Sequence, residues 1–170
     1  MIFLGLDPGL DGALVALRED GTVLLQAIMP TSPGPSKGRV VDVAALVVLL
    51  LDLPAPAVVA IEAMAGRPPG KMGGGSALTI GANWGRLAGM LATLAERYPH
   101  RVRWDVVQPQ RWQRVVCPGT GDPKARAIAA ARRRAPGLLL TPGKRTKPHD
   151  GLADAWGIAE WCRREQGRTP

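Results

Sequence analysis

Apolar residues fall in short blocks through the first third of the chain and in longer periodic stretches after it. Two of the blocks are alike. Ile-Phe-Leu-Gly-Leu at 2–6 and Ala-Val-Val-Ala-Ile at 57–61 are uninterrupted, and each is closed by one acid, Asp7 and Glu62. An unbroken apolar run of strand length marks a strand covered on both faces. Each acid is therefore expected at the C-terminal tip of a buried strand. Residues 12–18 and 22–29 read as two more strands around Glu19-Asp20-Gly21, where Asp-Gly suits a type I′ hairpin turn. With the first run they make an antiparallel meander. Residues 30–38, rich in Pro, Ser and Gly, read as a flexible loop. Residues 40–53 read as a helix with a broad apolar face, with Asp42 near its start and Pro54 beyond its end.

The second half has longer periods. Residues 63–75 are Gly- and Pro-rich and carry Arg67 and Lys71, which predicts a mobile basic loop leaving directly from Glu62. Ser76 suits an N-cap for a helix running to about 97, with Leu78, Leu87, Met90, Leu91 and Leu94 as its apolar positions. Gly81, Gly85 and Gly89 recur every four residues and give that helix a smooth face suited to close packing. A strand over 101–107 follows, then a short helix from Pro109 and an Ala/Arg-rich helix from 122 or 123 to 134. Residues 141–149 form a basic loop with Lys144, Arg145 and Lys147 ahead of a last helix, and 163–170 read as a frayed tail. The pattern predicts one mixed α/β domain over 1–170, most simply a five-stranded sheet with helices on both faces.

The last helix carries an unusual pair. Asp150 and Asp154 lie four residues apart, so both leave one face of an otherwise apolar, Ala-rich segment. Carboxylates that close repel and raise each other's pKa unless a cation lies between them. Adjacent parallel strands would set Asp7 and Glu62 side by side at their carboxyl ends, where open α/β sheets place their sites. The four acids together predict a divalent-metal site.

Charge supports an anionic partner. The formal net charge is +8, with 22 Lys and Arg against 14 Asp and Glu, and nucleic acid is the commonest partner for such a balance. The two cysteines, Cys117 and Cys162, form no CxxC and have no His at ligand spacing, which excludes a disulfide framework or zinc site and fits a reducing cytoplasm. No basic n-region precedes the first apolar run, and no run approaches membrane-span length, so neither an ordinary signal peptide nor a membrane helix is expected. Gly73-Gly74-Gly75 is not a phosphate-binding loop, because no Gly-Lys-Ser/Thr follows.

Strand-ending Asp7 and Glu62, with Asp150 and Asp154 on a C-terminal helix, carry a resemblance. The chain resembles the RuvC-type Holliday-junction resolvases of the ribonuclease H-like superfamily, in their phage-borne branch. The matching segments are Gly5-Leu6-Asp7-Pro8-Gly9, Ala60-Ile61-Glu62, Ile80-Gly81-Ala82-Asn83-Trp84-Gly85, Val107-Gln108-Pro109-Gln110-Arg111-Trp112, Lys124 and His149-Asp150-Gly151-Leu152-Ala153-Asp154-Ala155. In order and spacing they span roughly residues 2–162. The resemblance implies a ribonuclease H-like five-stranded mixed sheet of three antiparallel and two parallel strands. It also implies a homodimer that cuts symmetrically across a four-way DNA junction in a bacterial cytoplasm. Two Mg²⁺ or Mn²⁺ ions are implied, held by Asp7, Glu62, Asp150 and Asp154. Cellular members place an acid or a His three residues before the last Asp, which here is Gly151. Asp150 stands four before, as the phage-type pattern has it, and His149 is an additional or substitute ligand, or a general acid/base. Residues 63–76 hold no aromatic to act as the wedge that cellular members carry, only Met64 and Met72.

Phosphodiester hydrolysis explains the residue types. It needs an activated water and neutralisation of a leaving oxygen, which two hard cations about 3.5–4 Å apart provide, and hard cations take oxygen ligands. Arg67, Lys71, Lys144, Arg145 and Lys147 flank the acids and are candidates for DNA phosphates near the cut. Lys124 and Arg126 are candidates for backbone contacts further out. Local readings compete: Asp7 as a cap on the Pro8-Gly9 turn, Glu62 paired with Arg67, Asp150 as a helix N-cap. Trp84, Trp112, Trp156 and Trp161 read as core. Three other functions stay open: a ribonuclease H-like nuclease on other branched DNA or RNA–DNA hybrid, a noncatalytic DNA-binding derivative, and an actin-like phosphotransferase. The last is disfavoured because that fold needs two such domains.

Overall fold

The structure, a computed structural model, describes residues 1–34, 38–64 and 74–166, and for 74–76 the backbone alone. Seven strands and five helices follow in chain order among these residues: β1 Ile2–Asp7, β2 Ala13–Arg18, β3 Val23–Ile28, β4 Thr31–Pro33, β5 Arg39–Val41, α1 Val43–Leu51, β6 Ala57–Glu62, α2 Gly74–Arg97, β7 Val102–Val107, α3 Pro109–Val116, α4 Pro123–Arg134 and α5 Asp150–Gln166. The main sheet has the order β3-β2-β1-β6-β7. β1 is antiparallel to β2, and β2 to β3, whereas β6 runs parallel to both β1 and β7. This is the mixed sheet expected from the sequence, with helices on both faces.

Strand alternation decides which face each residue serves. Ile2, Leu4 and Leu6 of β1 and Val59 and Ile61 of β6 join the core under α1 and α2. Phe3 of β1 and Val58 and Ala60 of β6 join the opposite core, under α3, α4 and α5. Continuing the same alternation turns Asp7 and Glu62 toward α5. The register pairs Leu6 with Ile61, so the two acids occupy neighbouring strand tips.

α5 lies directly on the sheet because Gly5 leaves it room. A Cβ at Gly5 would stand 2.1 Å from the Ala155 carbonyl oxygen and 2.4 Å from the Ala159 nitrogen. Along α5, Leu152 through Cys162 are buried apart from Asp154, an apolar helix interrupted by one half-buried carboxylate. Glu160, also buried, is held by Arg134 at 3.1 Å, Arg163 at 2.7 Å and Arg164 at 2.8 Å. That pairing extends the helix to Gln166, so residues 163–166 are helical rather than the frayed tail expected; residues 167–170 lie outside the described residues.

Other local expectations shift. The hairpin at Gly21 is not type I′, which needs positive φ at two residues. Only Gly21 is positive there, at 86°, and Gly21 N donates to Arg18 O at 3.0 Å. Asp20 Oδ1 accepts from Thr22 N at 2.9 Å, which holds the turn in its negative-φ form. Instead of a loop throughout, 30–38 gives β4, which pairs with β5 in a small ribbon. α1 is shorter than 40–53, with Asp42 capping it through a bond from Ala45 N at 3.0 Å. α2 begins at Gly74, so Ser76 is inside its first turn and not the N-cap. The glycine face of α2 packs on little: a Cβ at Gly85 or Gly89 would meet nothing within 4 Å among the described residues. Among the described residues no helix is long and apolar enough to cross a membrane.

Candidate active site

The tips of β1 and β6 and the first turns of α5 open on one cavity of about 680 Å³, lined by Asp7, Glu62, Asp150 and Asp154. Each carboxylate comes from a different local rule. Asp7 and Glu62 end buried strands on the face that α5 covers. Asp150 and Asp154 are one helical turn apart on α5. Gly151 lets the helix come close: a Cβ there would stand 3.0 Å from Asp7 Oδ2 and 2.9 Å from Asp11 O. Gly151 is thus the place where α5 touches the β1–β2 turn.

Electrostatics split the acids into two kinds. Burial, and next the Glu62 charge, push Asp7 up to about 7. Burial, then Asp7, Glu62 and Asp150, push Asp154 up to about 8. Burial raises Glu62 too, while the hydrogen bond from Trp112 acts to lower it. Asp150 moves the other way, because the Lys124 ammonium is bonded to it. The Asp7 cap on its turn is weak: Gly9 N lies 3.5 Å from Asp7 Oδ1. Asp7 and Asp154 are carboxyls with protons to release at neutral pH.

Neighbouring groups hold the acids in place. Trp112 Nε1 donates to Glu62 Oε1 at 2.8 Å, and Trp84 Nε1 to Glu62 O at 3.0 Å. Asn83, buried at the cavity wall, accepts from Val41 N at 3.0 Å and donates to Thr79 O at 2.9 Å, tying α2 to β5. Asp11, at the rim, pairs with Arg39 at 2.8 Å. Sequence reading placed Trp84 and Trp112 in the core. Trp112 is fully buried, yet its one polar atom serves Glu62, and no periodicity signals that.

The remaining candidates separate. Lys124, expected further out, lines the cavity and bonds Asp150, because α4 packs alongside α5 with its first turn at the site. Arg126 instead bonds the carbonyls of Cys117 at 3.0 Å and Gly119 at 2.5 Å, closing the loop before α4. Lys144, Arg145 and Lys147 are exposed on the loop that leads into α5. Arg67 and Lys71 lie outside the described residues. His149 does not line the cavity. It is buried, and its Nδ1 accepts from Leu152 N at 3.3 Å, so His149 and not Asp150 caps α5. Burial and the nearby Arg145 charge lower its pKa, which fits a neutral acceptor.

As placed, no three His, Cys, Asp or Glu side chains among the described residues share one ion position. The donor chemistry nonetheless fits a hard cation. The cavity presents five carboxylates, of which Asp11 at the rim is paired with Arg39, and no imidazole or thiolate, and two of the carboxyls are held near neutral pH chiefly by burial and mutual repulsion, which a bound cation would relieve.

No protein-family model and no curated protein matches the sequence. Solved structures do match along almost the whole chain. Thermus thermophilus RuvC in complex with a Holliday junction substrate is 22% identical with a TM-score of 0.63, over 99% of this chain and 98% of that one. A further Thermus thermophilus RuvC structure is 22% identical with a TM-score of 0.58, over 95% and 92%. The yeast mitochondrial Holliday junction resolvase Ydc2 is 16% identical with a TM-score of 0.53, over 96% and 78%. The fold is therefore the ribonuclease H-like fold of RuvC.

Proposed function

We propose that this chain is a metal-dependent endonuclease that resolves four-way DNA junctions by paired symmetric nicks. It acts as a homodimer in a bacterial cytoplasm, with two Mg²⁺ or Mn²⁺ ions in each active site. One observation carries the reading: two strand tips and one helix turn four carboxylates into a single cavity beside a lysine. The RuvC-like fold and the net charge of +8 support it. The spacing of Asp150 and Asp154 supports the phage-borne branch.

When bound, the ions supply an activated water and neutralise the leaving oxygen. The chain's residues do the rest. Asp7, beside Glu62 at the strand tips and against α5 at Gly151, would be the central ligand of the set. Glu62, Asp154 and Asp150 would complete the ligand set, with Asp150 bonded to Lys124 in the structure. Lys124 contributes the positive charge of the cavity wall and is placed to meet a phosphate oxygen next to Asp150. Lys144, Arg145 and Lys147, exposed on the loop into α5, present further charge to DNA phosphates, a role proposed also for Arg67 and Lys71, which lie outside the described residues. Such contacts add salt-dependent affinity rather than sequence reading. His149 acts through the helix it caps and not as a ligand.

The test is a substrate panel. A mobile four-way junction, a flap, a replication fork and an RNA–DNA hybrid are incubated with the chain and Mg²⁺ or Mn²⁺. The reading expects the junction to be cut fastest and in symmetric pairs. Preferential cutting of the hybrid, or single unpaired nicks on every branched form, overturns it.

A further inference from the structure

Glu62 is held at both ends by tryptophans, and one of them also touches the helix that carries the other acids. The Trp112 ring packs against α5 where Gly157 offers no side chain: a Cβ there would stand 2.5 Å from ring carbon Cζ3 and 2.9 Å from Cε3. Gly157 lies three residues past Asp154, so the ring abuts α5 on the turn after Asp154. At its other edge, Nε1 donates to Glu62 Oε1 at 2.8 Å. The ring has no exposed surface, and its place on α3 is fixed by the Pro109 start of that helix. A buried indole N–H usually finds an acceptor; that of Trp161 has none among the described residues, whereas that of Trp112 has one of the cavity carboxylates.

We infer that Trp112 is a positioning residue for metal binding. It is a rigid spacer that sets Glu62 at a fixed distance from α5 and engages Oε1, so that the carboxylate presents a preset oxygen to the cation. The inference rests on the function proposed above. Partners of this kind orient a ligating carboxylate, and their loss typically weakens metal affinity about 10- to 100-fold.

The test uses the full chain without DNA. Mn²⁺ binding is measured by calorimetry for the wild type, Trp112→Phe and Asp154→Asn, with melting temperature followed in chelator. Trp112→Phe keeps a ring and removes the N–H. It is expected to bind Mn²⁺ about 10- to 100-fold more weakly, with junction cleavage restored at saturating Mn²⁺. A purely structural role would lower the melting temperature and leave the Mn²⁺ affinity unchanged, and that result overturns the inference while the function stands. Wild-type protein that binds no Mn²⁺ overturns both. A second readout needs no variant to fold. Among the indole N–H resonances of the wild type, that of Trp112 is expected to shift on Mg²⁺ titration with the affinity measured by calorimetry. An unmoved Trp112 resonance overturns the inference.

Discussion

Gly5→Ala tests how closely α5 must lie on the sheet. The added Cβ would stand 2.1 Å from the Ala155 carbonyl oxygen, 2.4 Å from the Ala159 nitrogen and 3.0 Å from the Ile158 Cβ. A relaxed C···O approach is about 3.3 Å, so the helix backbone has to retreat by about 1 Å. No rotamer change helps, because two of the three atoms are backbone. Overpacking of this kind costs about 1–3 kcal/mol or more, against which alanine recovers only about 0.5–1 kcal/mol of strand entropy. The clash wins. At about 2–4 °C per kcal/mol for a chain of this size, a net loss near 2 kcal/mol lowers the melting temperature by about 4–8 °C. Function is hit harder. Asp154 rides on the displaced segment, and a misplacement of about 1 Å at a reacting centre costs about 100-fold in rate. Gly89→Ala is the control: its Cβ meets nothing within 4 Å among the described residues, and helix propensity alone favours alanine by about 0.8–1 kcal/mol. Thermal melts and single-turnover junction cleavage are the assays. A Gly5→Ala protein that melts and cuts like wild type refutes the close-contact reasoning.

Three further outcomes follow from the same geometry. In chelator, Asp7 and Asp154 have folded pKa values of about 7 and 8, above their unfolded values, so they stabilise the fold at low pH and lose that contribution as pH rises through 7 to 8; melting temperature should fall from pH 5 to 8.5, and saturating Mg²⁺ should abolish the fall. Since binding expels those protons, Mn²⁺ affinity measured by calorimetry should rise over pH 6 to 8.5 with proton release, and a flat profile contradicts the assignment. His149→Asn should keep junction cleavage, because asparagine is a good N-cap, while His149→Ala should cost about 1 kcal/mol in urea denaturation; loss of cleavage in a stable His149→Asn protein would return His149 to the chemistry.

The fold was readable where the signal is local and repeated. Unbroken apolar runs gave β1 and β6, and their closing acids fell on the same face because alternation has a period of two. The four-residue step between Asp150 and Asp154 was equally plain on a helix. Much of what stays hidden depends on contacts distant in sequence. Lys124 was placed too far out, since nothing in its helix says that α4 packs beside α5 with its first turn at the cavity. His149 looked like a ligand because its residue type suits metals, and its capping bond appears only with the backbone of α5 in place. Trp112 looked like core and is core; the acceptor of its N–H lies 50 residues away. The spacing of Gly81, Gly85 and Gly89 suggested a packed face, yet spacing shows only that a helix is smooth there, not that a neighbour lies against it. The β4–β5 ribbon was missed because three-residue strands carry no period to read.

In the proposed function, the β1 and β6 tips and α5 build one metal-dependent cutting site. Its most direct test maps nicks on all four strands of a mobile junction, with Mg²⁺, for the wild type and Asp154→Asn. Paired nicks on opposing strands are expected for the wild type, and for Asp154→Asn a junction bound with unchanged affinity and left uncut. An Asp154→Asn protein that cuts at the wild-type rate would contradict it.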